Sequence, residues 1–314
     1  MPRFTVPDTL DGERLDKALA SLVPGLSRSR AKELTEAGAV RVDGRRAGKS
    51  AVIAAGQELV IADDAHLDTD VAPAPDADLA ATLTVRLERP DLVVVEKPAG
   101  MPTAPVEPGD AGTLANALIA RYPEMAGVGF RKREPGLLHR LDTETSGLVL
   151  AARTSDAFDE LRRAFTEDLL DKRYLLLCDG RGLPDTGTVA HPLANHPKDR
   201  RRVMACIHPR DVARNAPRPA ETSWRVIERR GPWALVEAKA SKALRHQVRV
   251  HFASMEAPLA NDELYGGQSL PGLTRHALHA SHLGFRGAGG VRSFDVSTPL
   301  PPDLQAAWDA LQDA

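Results

Sequence analysis

One carboxylate placed directly ahead of an uninterrupted apolar run constrains this chain more than any other feature. Residues 139–150 read His-Arg-Leu-Asp-Thr-Glu-Thr-Ser-Gly-Leu-Val-Leu. The Leu148-Val149-Leu150 stretch has the length and apolar continuity of a buried strand. With that strand buried, Asp142 cannot be an ordinary solvated surface charge, because Arg140 and Leu141 flank it and the Thr145-Ser146-Gly147 turn ties it to the core. Asp142 is the candidate reacting group.

At 314 residues the chain has room for a small module and a catalytic domain with a sizeable core, and its apolar and charged fractions are those of a globular protein. Cys178 and Cys206 stand far apart and without metal-type spacing, which fits structural thiols in a reducing compartment. The most apolar runs are strand-sized, far below membrane-spanning length. The first residues lack the apolar core of a signal peptide, so a cytoplasmic enzyme is expected.

The net charge of −2 hides a separation along the chain. Arg28, Arg30, Lys32, Arg41, Arg45, Arg46 and Lys49 crowd the start. Lys198, Arg200, Arg201, Arg202, Arg210, Arg214 and Arg218 crowd a later segment. A run of aspartates lies between, at Asp63, Asp64, Asp68, Asp70, Asp76 and Asp78, in an Ala/Pro-rich stretch that reads as a solvated linker over 63–82.

Residues 11–62 read as a small α/β module. Leu15, Leu19 and Leu22 give helical spacing, and Ser27 stands as an N-cap before a second helix that carries Leu34. Val40-Arg41-Val42 alternates as a strand, Asp43-Gly44 is a hairpin turn, and residues 58–61 form another strand. From residue 83 to 314, short strands alternate with Gly/Pro turns and a few helices, which predicts an α+β domain around a mixed, largely antiparallel central sheet. Residues 155–165 predict an amphipathic helix with Phe158, Leu161 and Phe165 on one face and Ser155 as cap.

Glycine-rich phosphate loops and paired cysteines of metal type are absent, so nucleotide hydrolysis and zinc-dependent deamination have no machinery here. His276, His279 and His282 recur at three-residue intervals, but no carboxylate or cysteine completes a ligand set. Structural hydrogen bonding is the better reading for these, as for His139, His246 and His251.

The run from His139 to Leu148 resembles the active-site segment of the RluA-type pseudouridine synthases: His-Arg-Leu-Asp, two variable residues, then Thr-Ser-Gly-Leu. Other blocks of that family follow in order. Residues 91–100 resemble its opening strand and Lys-Pro-Ala-Gly turn, and Gly112-Thr113-Leu114 with Asn116-Ala117-Leu118 its next helix. Lys172-Arg173-Tyr174-Leu175 resembles the block of the active-site tyrosine, and His246-Gln247-Val248-Arg249-Val250-His251 that of an essential arginine. Residues 262–266 and Leu278-His279-Ala280 match the closing blocks. The N-terminal layout is similar to the small RNA-binding domain named after ribosomal small-subunit protein four, whose basic face grips structured RNA.

The resemblance implies a cofactor-free isomerase that turns uridine in RNA into pseudouridine. Asp142, Tyr174 and Arg249 match the catalytic positions, with Arg249 pairing the aspartate and Tyr174 forming a flat wall for the uracil. It implies extrusion of the target base, with Arg140 at the vacated position, and phosphate contacts from Arg28, Arg30, Lys32, Arg45 and Arg46. Where the family usually has Gly-Arg-Thr before His-Gln, Ala243-Leu244-Arg245 stands here, so a basic contact shifts to Arg245 or Lys242. Large-subunit ribosomal RNA is the expected substrate and a monomer the expected state, with no membrane or nucleotide cofactor. A tRNA substrate, a non-catalytic ribosome-assembly role and an aspartyl hydrolase are the alternatives.

Overall fold

The computed structural model describes residues 2–23, 26, 28–48, 51–62, 70–240 and 243–312, the side chains of Ser29 and Gln312 excepted. Two compact units result: Met1–Val71 with Val106–Gly109, and Ala72–Pro105 with Asp110–Ala314.

In the first unit, β1 (Arg3–Thr5), β2 (Val40–Val42), β3 (Arg45–Arg46) and β4 (Glu58–Ile61) form an antiparallel sheet in the order β1-β4-β2-β3. Helices α1 (Leu15–Leu22) and α2 (Arg28–Ala37) close it. Leu15 and Leu19, one helical turn apart, bury with Leu34, Val40, Leu59 and Ile61. Asp43 and Gly44 take φ of 48° and 77°, the mirror-image turn that matches strand twist. The Asp43 carboxylate also accepts Glu58 N–H at 2.9 Å, tying the hairpin to β4. The N-cap expected at Ser27 lies outside the described residues.

The second unit opens earlier than a linker over 63–82 would allow. Asp76 accepts Leu79 N–H at 3.0 Å and caps α3 (Ala77–Thr82). Asn116 then donates to the Ala74 carbonyl at 2.7 Å, so residues ahead of α3 are tied to the domain rather than solvated.

The strands of this unit are β5 (Thr84–Glu88), β6 (Leu92–Lys97), β7 (Ser146–Ala152), β8 (Leu170–Asp179), β9 (Thr186–Val189), β10 (Leu193–Asn195), β11 (Val203–Ala205), β12 (Thr222–Arg230), β13 (Trp233–Lys239), β14 (Leu278–Phe285) and β15 (Phe294–Ser297). Its further helices are α4 (Leu114–Arg121), α5 (Ser155–Thr166), α6 (Pro209–Asn215), α7 (Gln247–Ser254) and α8 (Pro302–Asp309). Nine strands make one sheet in the order β5-β6-β7-β14-β8-β13-β12-β9, with β15 beside β14 and only β7–β14 parallel. This is the mixed, largely antiparallel sheet of an α+β domain.

Both faces of the sheet are covered, which is why β6 and β7 read as continuous apolar runs and not as alternating ones. Val93, Val95, Val149 and Ala151 pack with α4 and α7, while Leu92, Val94, Leu148 and Leu150 pack with α5. Helix α5 presents Phe158 and Leu161 to that core as expected, but its cap is Thr154, whose hydroxyl accepts Ala157 N–H at 3.3 Å.

Gly147 marks the point where β7 meets β14. Its φ is 119°, and a Cβ there would strike the backbone nitrogen and carbonyl of Ala280. Gly147→Ala therefore pays twice, in backbone strain and in separating two central strands. A loss of about 2–5 kcal/mol in urea unfolding is expected, and a loss below about 0.5 kcal/mol would show that β7 can shift freely.

Candidate active site

The loop between α4 and β7 carries Asp142 and is fixed from several sides. Lys97, at the end of β6 and wholly buried, donates to the carbonyls of Pro98 (2.8 Å), Met101 (2.7 Å) and Thr143 (3.0 Å). Burial pushes its pKa down to about 7, against the nearby charges of Glu144 and Asp142. Three acceptors use all three protons of the ammonium form, so the geometry favours the charged state. The Thr103 hydroxyl meets both the carbonyl (2.8 Å) and the N–H (3.1 Å) of Leu141.

Histidines brace the far side of this loop. His276 Nε2 lies 2.8 Å from the Thr145 hydroxyl and His279 Nδ1 2.8 Å from the Ser146 hydroxyl. Burial holds both pKa values down at about 4, so these rings are neutral near pH 7. His139 accepts Leu150 N–H at 3.0 Å, and His251 lies 2.8 Å from the Thr222 hydroxyl. Among the described residues no group of three or more His, Cys, Asp or Glu is arranged to hold a metal.

Arg249, in α7, reaches Asp142 by the third edge of its guanidinium. Its Nη1 donates to Asp142 Oδ2 at 2.9 Å, while Nε and Nη2 donate to Asp262 Oδ2 and Oδ1 at 2.7 and 2.8 Å. The bidentate contact with Asp262, 1% exposed, fixes the plane of the guanidinium before Asp142 is engaged. Asn261 makes the turn into Asp262 with φ of 57°, a conformation asparagine tolerates.

About a quarter of the Asp142 side chain (25%) remains open to solvent. Burial opposes its charge, but His246, Arg249 and the hydrogen bond from Arg249 outweigh that cost and hold the carboxyl below its ordinary value. His246 contributes a charge only when protonated, and burial pushes its own pKa down to about 4. At neutral pH the cation that keeps Asp142 ionised is therefore Arg249. His246 Nε2 stands 3.7 Å from Asp142 Oδ2, and its Nδ1 is 2.7 Å from the Tyr265 hydroxyl. That hydroxyl accepts Val203 N–H at 2.9 Å, which favours donation of its own proton to Nδ1 and leaves the His246 proton on Nε2, facing Asp142.

Tyr174, in β8, is 5% exposed, and its hydroxyl has no hydrogen-bond partner among the described residues. Burial first and the Asp142 charge second raise its pKa, so the phenol keeps its proton at neutral pH.

The structure thus brings together Asp142, Tyr174 and Arg249. Arg140, exposed, has no ionic or hydrogen-bonding partner for its side chain among the described residues. Arg245 is exposed too, but its Nη2 is engaged with the carbonyls of Arg200 (2.9 Å) and Arg201 (2.6 Å), bracing that segment. Lys242 lies outside the described residues. In the first unit Arg28 pairs with Asp16 (3.2 Å), Arg30 with Glu33 (3.3 Å) and Lys32 with Glu36 (4.0 Å), while Arg45 and Arg46 are exposed. Three residues that sequence reasoning gave no part in the site are Asp262, Tyr265 and His246. The first two had only the match to a closing block to mark them, and His246 was read with the other histidines as a structural hydrogen-bonding group.

Residues 91–254 match the family described as RNA pseudouridylate synthase, and residues 13–59 match the S4 domain. The chain belongs to the RNA pseudouridine synthase family. An uncharacterized RNA pseudouridine synthase of Chloroflexus aurantiacus is 36% identical over 98% of this chain and 93% of the relative. The ribosomal large subunit pseudouridine synthase D of Xanthomonas campestris is 32% identical over 98% of this chain and 92% of its own length. The solved structure of human RNA pseudouridylate synthase domain containing 1 covers 75% of this chain and 96% of its own, with a TM-score of 0.58 and 25% identity. The chain is an isomerase acting on RNA. Among the described residues no helix is long and apolar enough to cross a membrane.

The electrostatics give a pH profile. A carboxyl held below its ordinary pKa stays ionised as pH falls, and its ion pair is lost only below that value. Pseudouridine formation is expected to be flat in single-turnover rate from roughly pH 5 to 8, with its acid limb lying below the ordinary aspartate value of about 3.9. An acid limb centred near pH 6 would contradict the assignment of Arg249 as the controlling charge.

Proposed function

We propose that this enzyme isomerises specific uridines of large-subunit ribosomal RNA, in the cytoplasm, with Asp142 as the reacting carboxylate. The observation that carries the reading is the Asp142–Arg249–Asp262 arrangement: an ionised, one-quarter-exposed carboxylate (25%) aimed by a guanidinium that a second, buried carboxylate holds in place. The naming of the relatives as ribosomal large subunit pseudouridine synthases supports the choice of RNA.

Carbon one of the ribose loses its bond to base nitrogen one, and the uracil takes up that electron pair and turns. Carbon five of the base then bonds to the same ribose carbon and gives up its proton while nitrogen one takes one up, so atoms and charge balance without oxidant, reductant or net consumption of water. Asp142 serves either by adding to the anomeric carbon, the ester being displaced when carbon five bonds there, or by taking a ribose proton to give a glycal and returning that proton as carbon five bonds. Both routes need the ionised form that Arg249 maintains. Tyr174, kept neutral, provides a flat face and a hydroxyl for the turning base. Arg140, exposed two residues before Asp142, is placed to occupy the gap left by an extruded uridine. The exposed arginines of β3, with Arg28, Arg30 and Lys32 on α2, supply phosphate contacts that position without reading sequence.

Mapping pseudouridine in RNA from cells with and without the gene tests this reading. Sites that vanish from large-subunit RNA and return with the wild-type gene are expected. Sites lost only from tRNA would replace the proposed substrate.

A further inference from the structure

Among the described residues, the most exposed large apolar side chain is not at Asp142. Phe130 is 72% exposed and rests its edge on Phe158, with ring centroids 5.3 Å apart at 83°. The Arg162 guanidinium carbon lies 5.6 Å from the Phe130 ring centre. Both rings line a cleft of about 590 Å³ together with Arg140, Arg218 and Arg131, the last paired with Glu134 of the same wall at 3.6 Å. Arg140, Arg162 and Arg218 are exposed, and no carboxylate pairs with them among the described residues. The cleft wall includes residues 137–140, which run into Asp142, and Thr103, whose hydroxyl is bonded to Leu141.

An exposed ring that does not finish burying itself, beside the guanidinium groups of Arg140, Arg162 and Arg218, suits a ligand with one flat face and one negative charge per unit. We propose that this cleft binds a second, unpaired nucleotide of the RNA substrate, its base stacked on Phe130 and its phosphate held by Arg162 and Arg218. Stacking is indifferent to base identity, so the site holds the strand beside the target without choosing the uridine. A nucleotide parked here stays out of the helix while its neighbour occupies the Asp142 pocket, offsetting part of the cost of extrusion. This rests on the reading that Asp142 acts on a uridine in RNA.

The test uses the full chain and large-subunit ribosomal RNA from cells lacking the gene. Phe130→Ala is expected to raise KM for pseudouridine formation about 5- to 100-fold, the range that stacking one base supplies, with a smaller effect on kcat. Phe130→Trp, which keeps a flat face, is expected to return KM to within about twofold of wild type. Ultraviolet irradiation of the complex is expected to link a nucleotide to the peptide containing Phe130, in wild type and in Asp142→Asn alike. A KM for Phe130→Ala within twofold of an active wild type, or crosslinks confined to other peptides, would overturn the stacking site. If wild type crosslinks at Phe130 but forms no pseudouridine in this RNA, the substrate reading falls and the nucleotide site stands, so the two fail separately.

Discussion

Asp142→Asn is expected to lower pseudouridine formation by at least ~10⁴-fold while leaving RNA affinity within about threefold. The amide has the shape of the carboxylate and can still accept the 2.9 Å bond from Arg249, so fold and docking survive. It cannot form an ester at the sugar or act as a base at neutral pH. A quantitative pseudouridine assay beside a filter-binding titration separates the two quantities. Equal losses in both would mean that Asp142 organises the loop and does not react.

Arg249→Ala is expected to be the most damaging substitution for stability as well as a severe one for rate. It strands Asp262, 1% exposed, without its bidentate partner and leaves Asp142 without its cation. Removing one member of such a buried pair costs about 3–5 kcal/mol, visible as a fall in the denaturant midpoint. Arg249→Lys keeps a charge but cannot meet both carboxylates at once, so a rate loss of about 10²-fold or more is expected with a smaller stability loss. The pair Arg249→Met with Asp262→Leu distinguishes the two roles, because replacing both charges by apolar groups recovers much of the stability and none of the activity. Full activity in the pair would remove Arg249 from the mechanism.

What could be read ahead of the structure is what local chemistry determines. Asp142, the strand behind it and the Asp43-Gly44 hairpin each depend on a few adjacent residues, and each lies where expected. The parallel placement of β14 beside β7 could not be read, because it depends on Gly147 admitting the backbone of Ala280, more than a hundred residues downstream. Residues 72–82 looked like linker because alanine, proline and aspartate dominate them, yet Asp76 caps a helix there and Asn116 ties its approach to α4. Thr154 took the capping role assigned to its neighbour Ser155 because the helix begins one residue earlier than the apolar pattern suggests.

The same limit applies to the site. Tyr174 and Arg249 were legible through a family resemblance, not through spacing, since nothing in either strand or helix pattern points across the sheet to residue 142. Asp262 fell within a matched block but showed no sign of its partner: it is thirteen residues from Arg249 and acts only after α7 and the Asn261 turn fold back. The histidines at 276 and 279 carried a metal-like spacing, but the structure spends them on Thr145 and Ser146.

The most direct measurement is single-turnover conversion of large-subunit ribosomal RNA from cells lacking the gene, followed by base-resolved pseudouridine mapping with wild type and with Asp142→Asn. Conversion of discrete uridines by wild type and of none by the variant is the predicted result. Comparable conversion by both would contradict the assignment of residue 142 as the reacting group.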